Sequence, residues 1–94
     1  MDITPRLGNA QPVEAGRTFI LLGDLFAELG EPARARELYE LGVERLESQP
    51  PSRYLVDAYK RLGQLLEAEG RAEEALDTLK RALGVQERAG KPLV

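Results

Sequence analysis

The sequence predicts an all-α fold of two antiparallel helical hairpins, four helices in total, stacked as a short α-solenoid or bundle. The first observation is an internal repeat, because eight positions recur forty residues later with similar size and polarity. The second is the spacing of apolar residues, which fall three and four apart as in an amphipathic helix. The third is a glycine near the middle of each copy, which predicts a turn between two helices. The matched positions are Phe19, Leu22, Gly23, Phe26, Gly30, Ala35, Tyr39 and Gly42 in the first copy and Tyr59, Leu62, Gly63, Leu66, Gly70, Ala75, Leu79 and Ala82 in the second.

The first helix follows a short lead-in. Residues 1–11 show no helical period, so we expect a lead-in there and a single helical domain over residues 12–94. Pro12 suits the first turn of a helix because its φ is already fixed near the helical value. The helix is expected to run to Leu29, since Gly30 can adopt the left-handed conformation that ends helices.

Prolines mark both ends of the second helix. Pro32 suits its first position, where a backbone N–H would have no partner within the helix. The helix is expected to end before the sequence Ser-Gln-Pro-Pro at residues 48–51, because two prolines cannot continue it. This double proline is the expected repeat boundary, with the first repeat at about 12–49 and the second at about 52–90.

The second hairpin is predicted by the same kinds of signal. Ser52 can cap the third helix through its hydroxyl group. Gly70 is expected to end that helix as Gly30 ends the first. The fourth helix is expected from about Ala72 to Arg88.

Small residues at matched places predict close packing within each hairpin. A glycine inside a helix costs about 1 kcal/mol relative to alanine, so Gly23 and Gly63 imply a packing gain that offsets this loss. Together with Ala35 and Ala75, they leave room for the two helices of each hairpin to approach closely. The residues expected to pack the repeats are Phe19, Leu22, Gly23, Phe26, Ala35, Tyr39, Tyr59, Leu62, Gly63, Leu66, Ala75 and Leu79.

This pattern resembles the tetratricopeptide repeat, in which an aromatic residue, Leu and Gly, a second aromatic, an Ala and a third aromatic follow at fixed spacing. The residues that match in the first copy are Phe19, Leu22, Gly23, Phe26, Ala35 and Tyr39. In the second copy Leu66 and Leu79 replace aromatic residues. The offset of forty residues exceeds the family's usual period of about 34, so longer helices are expected on either side of Pro50 and Pro51.

The resemblance implies a protein-binding function. In that family, successive first helices line a concave groove that holds a partner peptide or helix, and helical geometry places the groove opposite the packing stripe. The predicted groove residues are Arg17, Ile20, Asp24, Glu28, Asp57, Lys60, Gln64 and Glu67. An ordinary solvated polar face is the competing interpretation. Some members hold a partner's terminal carboxylate with Lys and Asn, but Ile20 and Asp24 stand at those places here, which disfavours that mode.

The two copies differ on the outward side of their first helices. Ile20 and Leu21 stand in the first copy where Lys60 and Arg61 stand in the second. The first helix is therefore apolar almost all round, as expected of a helix that is covered on two sides. The lead-in, a second copy of the chain or a bound target could each cover this apolar patch. Self-association as a homo-oligomer is accordingly the alternative function.

Composition argues against several other functions. Thirteen basic and sixteen acidic residues give a net charge of −3, so we expect neither a nucleic-acid nor a membrane partner. The sequence has no His and no Cys, which removes the commonest general base and the soft metal ligands. Carboxylate pairs such as Glu73 and Asp77 could hold a cation, but Arg residues at helical spacing favour a solvated face. We expect no enzyme activity, no cofactor and no metal, in a cytoplasmic protein whose abundant Arg suggests thermostability.

Overall fold

A computed structural model describes residues 12–89, which form four α-helices and contain no β-strand. The helices are α1 (Pro12–Glu28), α2 (Pro32–Glu47), α3 (Arg53–Ala68) and α4 (Ala72–Ala89). They confirm the four predicted helices, with ends that differ from the predicted ones by at most one residue. The predicted lead-in, residues 1–11, lies outside the described residues.

The helices are arranged as two hairpins stacked side by side. α1 packs against α2, and α3 packs against α4. The turn that joins each pair is short, so the second helix runs antiparallel to the first. α2 also packs against α3, and α1 touches α3 at a few positions. The two inner helices, α2 and α3, therefore have neighbours on two sides, whereas α1 and α4 are the outer helices.

The two hairpin turns have the same structure. Gly30 and Gly70 have φ values of 79° and 81°, in the left-handed region that glycine adopts without steric cost. In the first turn, the N–H of Glu31 donates to the carbonyl of Phe26 at 2.9 Å, and the equivalent bond in the second turn is also 2.9 Å long. Such a bond across the left-handed residue satisfies a carbonyl at the end of the helix. The predicted role of both glycines is confirmed.

The residues at the starts of α2 and α3 are also the predicted ones. Pro32 occupies the first turn of α2. At the start of α3, the hydroxyl of Ser52 accepts a hydrogen bond from the N–H of Leu55 at 3.3 Å, which is the predicted cap.

The core lies between the hairpins and within each of them. Leu46, Leu55 and Val85 are its largest fully buried side chains. The buried hydrophobic residues are Ile20, Ala35, Tyr39, Val43, Leu46, Leu55, Val56, Ala58, Tyr59, Leu62, Leu66, Ala75, Ala82 and Val85. Phe26, Tyr54 and Leu65 pack against this cluster while remaining partly exposed.

Glycine residues set how closely the helices approach. A Cβ atom built on Gly23 would lie 2.6 Å from two atoms of the Tyr39 ring, and one built on Gly63 would lie 2.9 Å from Leu79. Real Cβ atoms do not make contacts this short, so the predicted close approach at both glycines is confirmed. Gly16 makes a similar close approach to Leu46, at 2.6 Å, although it was not among the residues predicted to pack the repeats.

The buried side of α1 differs from the prediction. Leu22 was expected to pack the first repeat, but it is 39% exposed, and Leu25 and Leu29 are more exposed still. The side of α1 that faces α2 instead carries Ile20 and the small residue Gly23. The physical reason is that α1 is an outer helix, so apart from a few positions beside α3 only its side toward α2 meets another helix.

Candidate partner-binding face

The helices α1 and α3 lie side by side and parallel. Arg17 of α1 stacks over the ring of Tyr54 of α3, with 4.8 Å between the guanidinium carbon and the ring centroid. Further along, Arg61 of α3 donates to a carboxylate oxygen of Asp24 at 2.6 Å. Both pairs are 37 residues apart, and a constant separation is what two parallel helices in register produce. Together, the exposed sides of these two helices form what we call the α1–α3 face.

A polar network ties this face to the core at its centre. The hydroxyl of Tyr39, from α2, donates to Asp24 at 2.5 Å. Arg61 donates to the other oxygen of Asp24 and lies 3.3 Å from Asp57. Burial, together with the hydrogen bond to Asp24, raises the pKa of Tyr39 well above its ordinary value. Three helices thus hold the Asp24 carboxylate in one orientation.

One end of the face carries an aromatic ring between two guanidinium groups. Tyr54 has Arg17 at 4.8 Å and Arg53 at 5.3 Å from its ring centroid. A hydrogen bond from Arg53 and the positive field of Arg17 lower the pKa of Tyr54. Sequence reasoning missed Arg53, although it lies four residues before Asp57 and therefore on the same side of α3.

Most of the predicted groove residues are exposed on this face. The exposed ones are Arg17, Glu28, Asp57, Lys60, Gln64 and Glu67. Asp24 is half-buried and takes part in the polar network described above. Asp24 and Gln64 line a depression of about 300 Å³ together with Arg61. Asp57 and Lys60 line another of about 420 Å³, which is bounded on its far side by Gln86 of α4.

Ile20 is not on this face, and its placement there and in the outward apolar patch was wrong. It is only 6% exposed and belongs to the core. A Cβ atom on Gly42 would lie 2.9 Å from Ile20, so the missing side chain of that glycine makes the room that Ile20 fills. The exposed apolar residue of the patch is Leu21, which is 63% exposed. It lies forty residues before Arg61 and takes the corresponding place on the face.

A second cleft opens on the other side of the molecule, where α2 and α4 diverge above α3. Tyr59 lies at its base and donates a hydrogen bond to Glu47. Burial and this hydrogen bond raise the pKa of Tyr59 to about 12. One part of the cleft, near Arg81 and Glu87, has a volume of about 610 Å³. A second part has a volume of about 430 Å³, and its rim is largely acidic, through Glu40, Glu44, Glu47, Glu74 and Asp77.

The described residues show neither a metal site nor a membrane span. No three carboxylates within residues 12–89 are grouped so that they could hold a metal ion. None of the four helices combines the length and the apolar composition that crossing a bilayer requires.

Comparison with known families gives a match over most of the chain. Residues 14–88 match the family described as tetratricopeptide repeat, which covers both hairpins. A comparison with curated proteins and one with solved structures returned no match. The family match suggests a protein–protein interaction module, and repeats of this kind are typically non-catalytic.

Proposed function

The chain belongs to the tetratricopeptide-repeat family, and we propose that it binds a peptide or a helix of a partner protein along the α1–α3 face. The observation that carries this proposal is the bracing of two parallel helices by Arg61 and Asp24 around an exposed Leu21. An exposed apolar residue within a fixed polar frame is the arrangement of an interface anchor surrounded by a polar rim.

The bracing favours binding because it is already formed in the free protein. Tyr39, Asp24 and Arg61 are held by hydrogen bonds before any partner arrives. Binding usually costs about 0.5–1.5 kcal/mol for each flexible side chain that becomes ordered. A face whose central side chains are already ordered avoids much of this cost.

The charges along the face give the partner a preferred direction. Arg17 and Arg53 lie in the N-terminal halves of α1 and α3, whereas Glu28 and Glu67 lie near the C-terminal ends. Because α1 and α3 are parallel, the face is positive at one end and negative at the other. We propose a partner segment with acidic residues near the arginines and basic residues near the glutamates, since charge complementarity sets orientation more than affinity.

We also propose that the function is association without catalysis. The sequence has no His and no Cys to act as a general base or nucleophile. The half-buried carboxylate of Asp24 is already occupied by Tyr39 and Arg61. The net charge of −3 favours a protein partner over a polyanion such as nucleic acid.

Selection of random linear peptides on the immobilised chain tests the proposed face. The selected peptide is titrated into ¹⁵N-labelled protein, and amide shifts are expected to change along α1 and α3, around Leu21 and Gln64. Charge reversal by Arg17→Glu with Lys60→Glu is expected to weaken binding at least tenfold, which corresponds to about 1.4 kcal/mol.

A matched variant controls for the change in net charge. Lys80→Glu with Arg88→Glu alters two exposed basic residues of α4 by the same amount and is expected to leave binding unchanged. Amide shifts confined to the cleft between α2 and α4, or equal losses in the two charge-reversed variants, would overturn the proposed face.

A further inference from the structure

Rows of exposed leucines run along the two outer helices. The rows are Leu22, Leu25 and Leu29 on α1 and Leu76, Leu79 and Leu83 on α4. These side chains are 37% to 61% exposed. Within each row the residues are three or four apart, so each row occupies one side of its helix. Continuous exposed apolar surface of this kind marks a contact site.

The interface between α2 and α3 shows what covers the corresponding side of an inner helix. Forty residues after the row on α1 come Leu62, Leu65 and Glu69 of α3. Leu62 is only 8% exposed and Leu65 packs against the core, because α2 covers this side of α3. Glu69 accepts a hydrogen bond from Arg36 of α2 at 3.3 Å. The same side of α1 has no helix of this hairpin pair upon it.

The row on α4 has its counterpart on α2. Forty residues before it come Arg36, Tyr39 and Val43, which face α3 or lie between α1 and α3. Val43 is 8% exposed, whereas its counterpart Leu83 is 60% exposed. The two rows are therefore the two halves of the α2–α3 interface, repeated at opposite ends of the molecule.

The sequence changes at the two ends are complementary to each other. In the α2–α3 interface, Arg36 and Glu69 form an ion pair whose side chains are 26% and 21% exposed. At the outer ends, both positions are leucine, since Leu76 corresponds to Arg36 and Leu29 corresponds to Glu69. Changing one partner alone would leave a half-buried charge against a leucine, which is unfavourable. Because both have changed, an apolar pair can replace the ion pair.

We propose that copies of this chain stack head to tail, with α1 of one copy packed on α4 of the next. The contact repeats the geometry by which α3 packs on α2, and the two leucine rows bury each other. This is a heterologous interface, so it adds copies without limit unless the rotation between copies closes a ring. The leucine rows lie outside the α1–α3 face. An experiment can therefore reject the stacking without rejecting the proposed peptide binding, and can reject the peptide binding without rejecting the stacking.

Sedimentation and light scattering of the whole 94-residue chain test the stacking. The mass is expected to rise from 10.4 kDa through successive multiples as the concentration increases from low micromolar to near millimolar. Leu76→Glu with Leu83→Glu blocks the α4 end, and Leu25→Glu with Leu29→Glu blocks the α1 end. Each blocked variant alone is expected to be a monomer. Leu41→Glu places one such charge at an exposed leucine outside both rows and is expected to assemble normally.

Mixing the two blocked variants distinguishes head-to-tail stacking from symmetric pairing. One variant retains an intact α1 and the other an intact α4, so an equal mixture is expected to form a one-to-one dimer and nothing larger. Circular dichroism confirms that each variant is folded before it is mixed. A native chain that stays at 10.4 kDa throughout would overturn the proposal. So would a dimer of either blocked variant alone, because α1 would then pair with α1 or α4 with α4.

Discussion

The two hairpins place different side chains against the equivalent glycine of their first helix. In the first hairpin the ring of Tyr39 covers Gly23, and in the second Leu79 covers Gly63. Tyr39 is 4% exposed, whereas Leu79 is 37% exposed. The difference follows from position, because Tyr39 lies on an inner helix and Leu79 on an outer one. Equivalent residues of a repeat therefore contribute differently to stability according to what lies beyond them.

The polar network shows the same dependence on neighbours. In the first hairpin, Tyr39 and Asp24 are joined by Arg61, which comes from the second hairpin. Forty residues after Asp24 stands Gln64, and forty before Arg61 stands Leu21. The charged hydrogen bond between Arg61 and Asp24 thus occurs where the two hairpins meet. Uncharged residues stand at the equivalent positions that face away from the other hairpin.

The largest expected effect compares two leucines at matched positions, Leu62 and Leu22. Leu62→Ala is expected to lower the free energy of unfolding by about 2–5 kcal/mol, because it opens a cavity at the α2–α3 interface. Leu22→Ala removes a side chain that is 39% exposed and is expected to cost less than about 1 kcal/mol. Urea unfolding followed by circular dichroism in dilute solution measures both. Equal losses would show that the outer side of α1 is covered within a single chain.

The next effect compares the glycines within the hairpins. Gly23→Ala is expected to destabilise the fold by about 1–3 kcal/mol, since the rigid Tyr39 ring cannot move away from the new methyl group. Gly63→Ala is expected to be close to neutral, because the exposed Leu79 can turn toward solvent and the gain in helix propensity is about 1 kcal/mol. Thermal unfolding of the two variants gives the comparison.

Gly84 provides the control for helix propensity alone. No heavy atom of another residue lies within 4 Å of a Cβ built there, so Gly84→Ala is expected to stabilise α4 by about 0.5–1 kcal/mol. If Gly23→Ala proved as stabilising as Gly84→Ala, the close approach of α1 and α2 would not depend on the missing side chain.

The sequence predicted the helices well because the signals that end them are local. A left-handed glycine at Gly30 and Gly70, and a hydroxyl cap at Ser52, act within one turn of the chain. The buried side of α1 was harder to predict, because the four apolar residues from Phe19 to Leu22 surround the helix and leave no single apolar side. The available signal for the buried side was a pair of glycines, Gly16 four residues before Ile20 and Gly23 three residues after it, since α2 approaches α1 there.

The candidate site was predicted only in part, for a similar reason. Helical spacing predicted that most of its residues in α1 and α3 are exposed, because that spacing needs only the period of one helix. The contact of Asp24 with Arg61 spans 37 residues and depends on how far α3 is shifted along α1. That shift is set by packing between hairpins and by the linker at residues 48–52, which the spacing within each helix does not determine.

A smaller effect is expected from removing the Tyr39 hydroxyl. Tyr39→Phe keeps the ring over Gly23 and removes the hydrogen bond to Asp24, so it is expected to cost about 1 kcal/mol. Tyr54→Phe is the control, because Tyr54 is less buried and lies at the end of the face; a change within about 0.5 kcal/mol is expected there. Urea unfolding at neutral pH measures both variants. Equal losses would mean that the network around Asp24 adds nothing to stability.

The last comparison is among the three tyrosines and concerns the change of stability with alkaline pH. The pKa of Tyr59 is raised to about 12 and that of Tyr39 is raised further, so the folded protein retains both protons after the unfolded chain has lost them. Their contribution to stability is therefore complete below pH of about 10, the ordinary tyrosine pKa, and is lost as the pH rises toward their folded values. Tyr54 has a lowered pKa and acts in the opposite direction.

Absorbance titration of tyrosinate separates these contributions. One tyrosine is expected to ionise below the ordinary pKa and two above it, and Tyr54→Phe is expected to remove only the early step. Tyr59→Phe is expected to reduce the fall in thermal stability at alkaline pH, because the remaining shift then comes from Tyr39 alone. A single titration step for all three tyrosines would contradict this assignment, since it would place buried and exposed hydroxyls in the same environment.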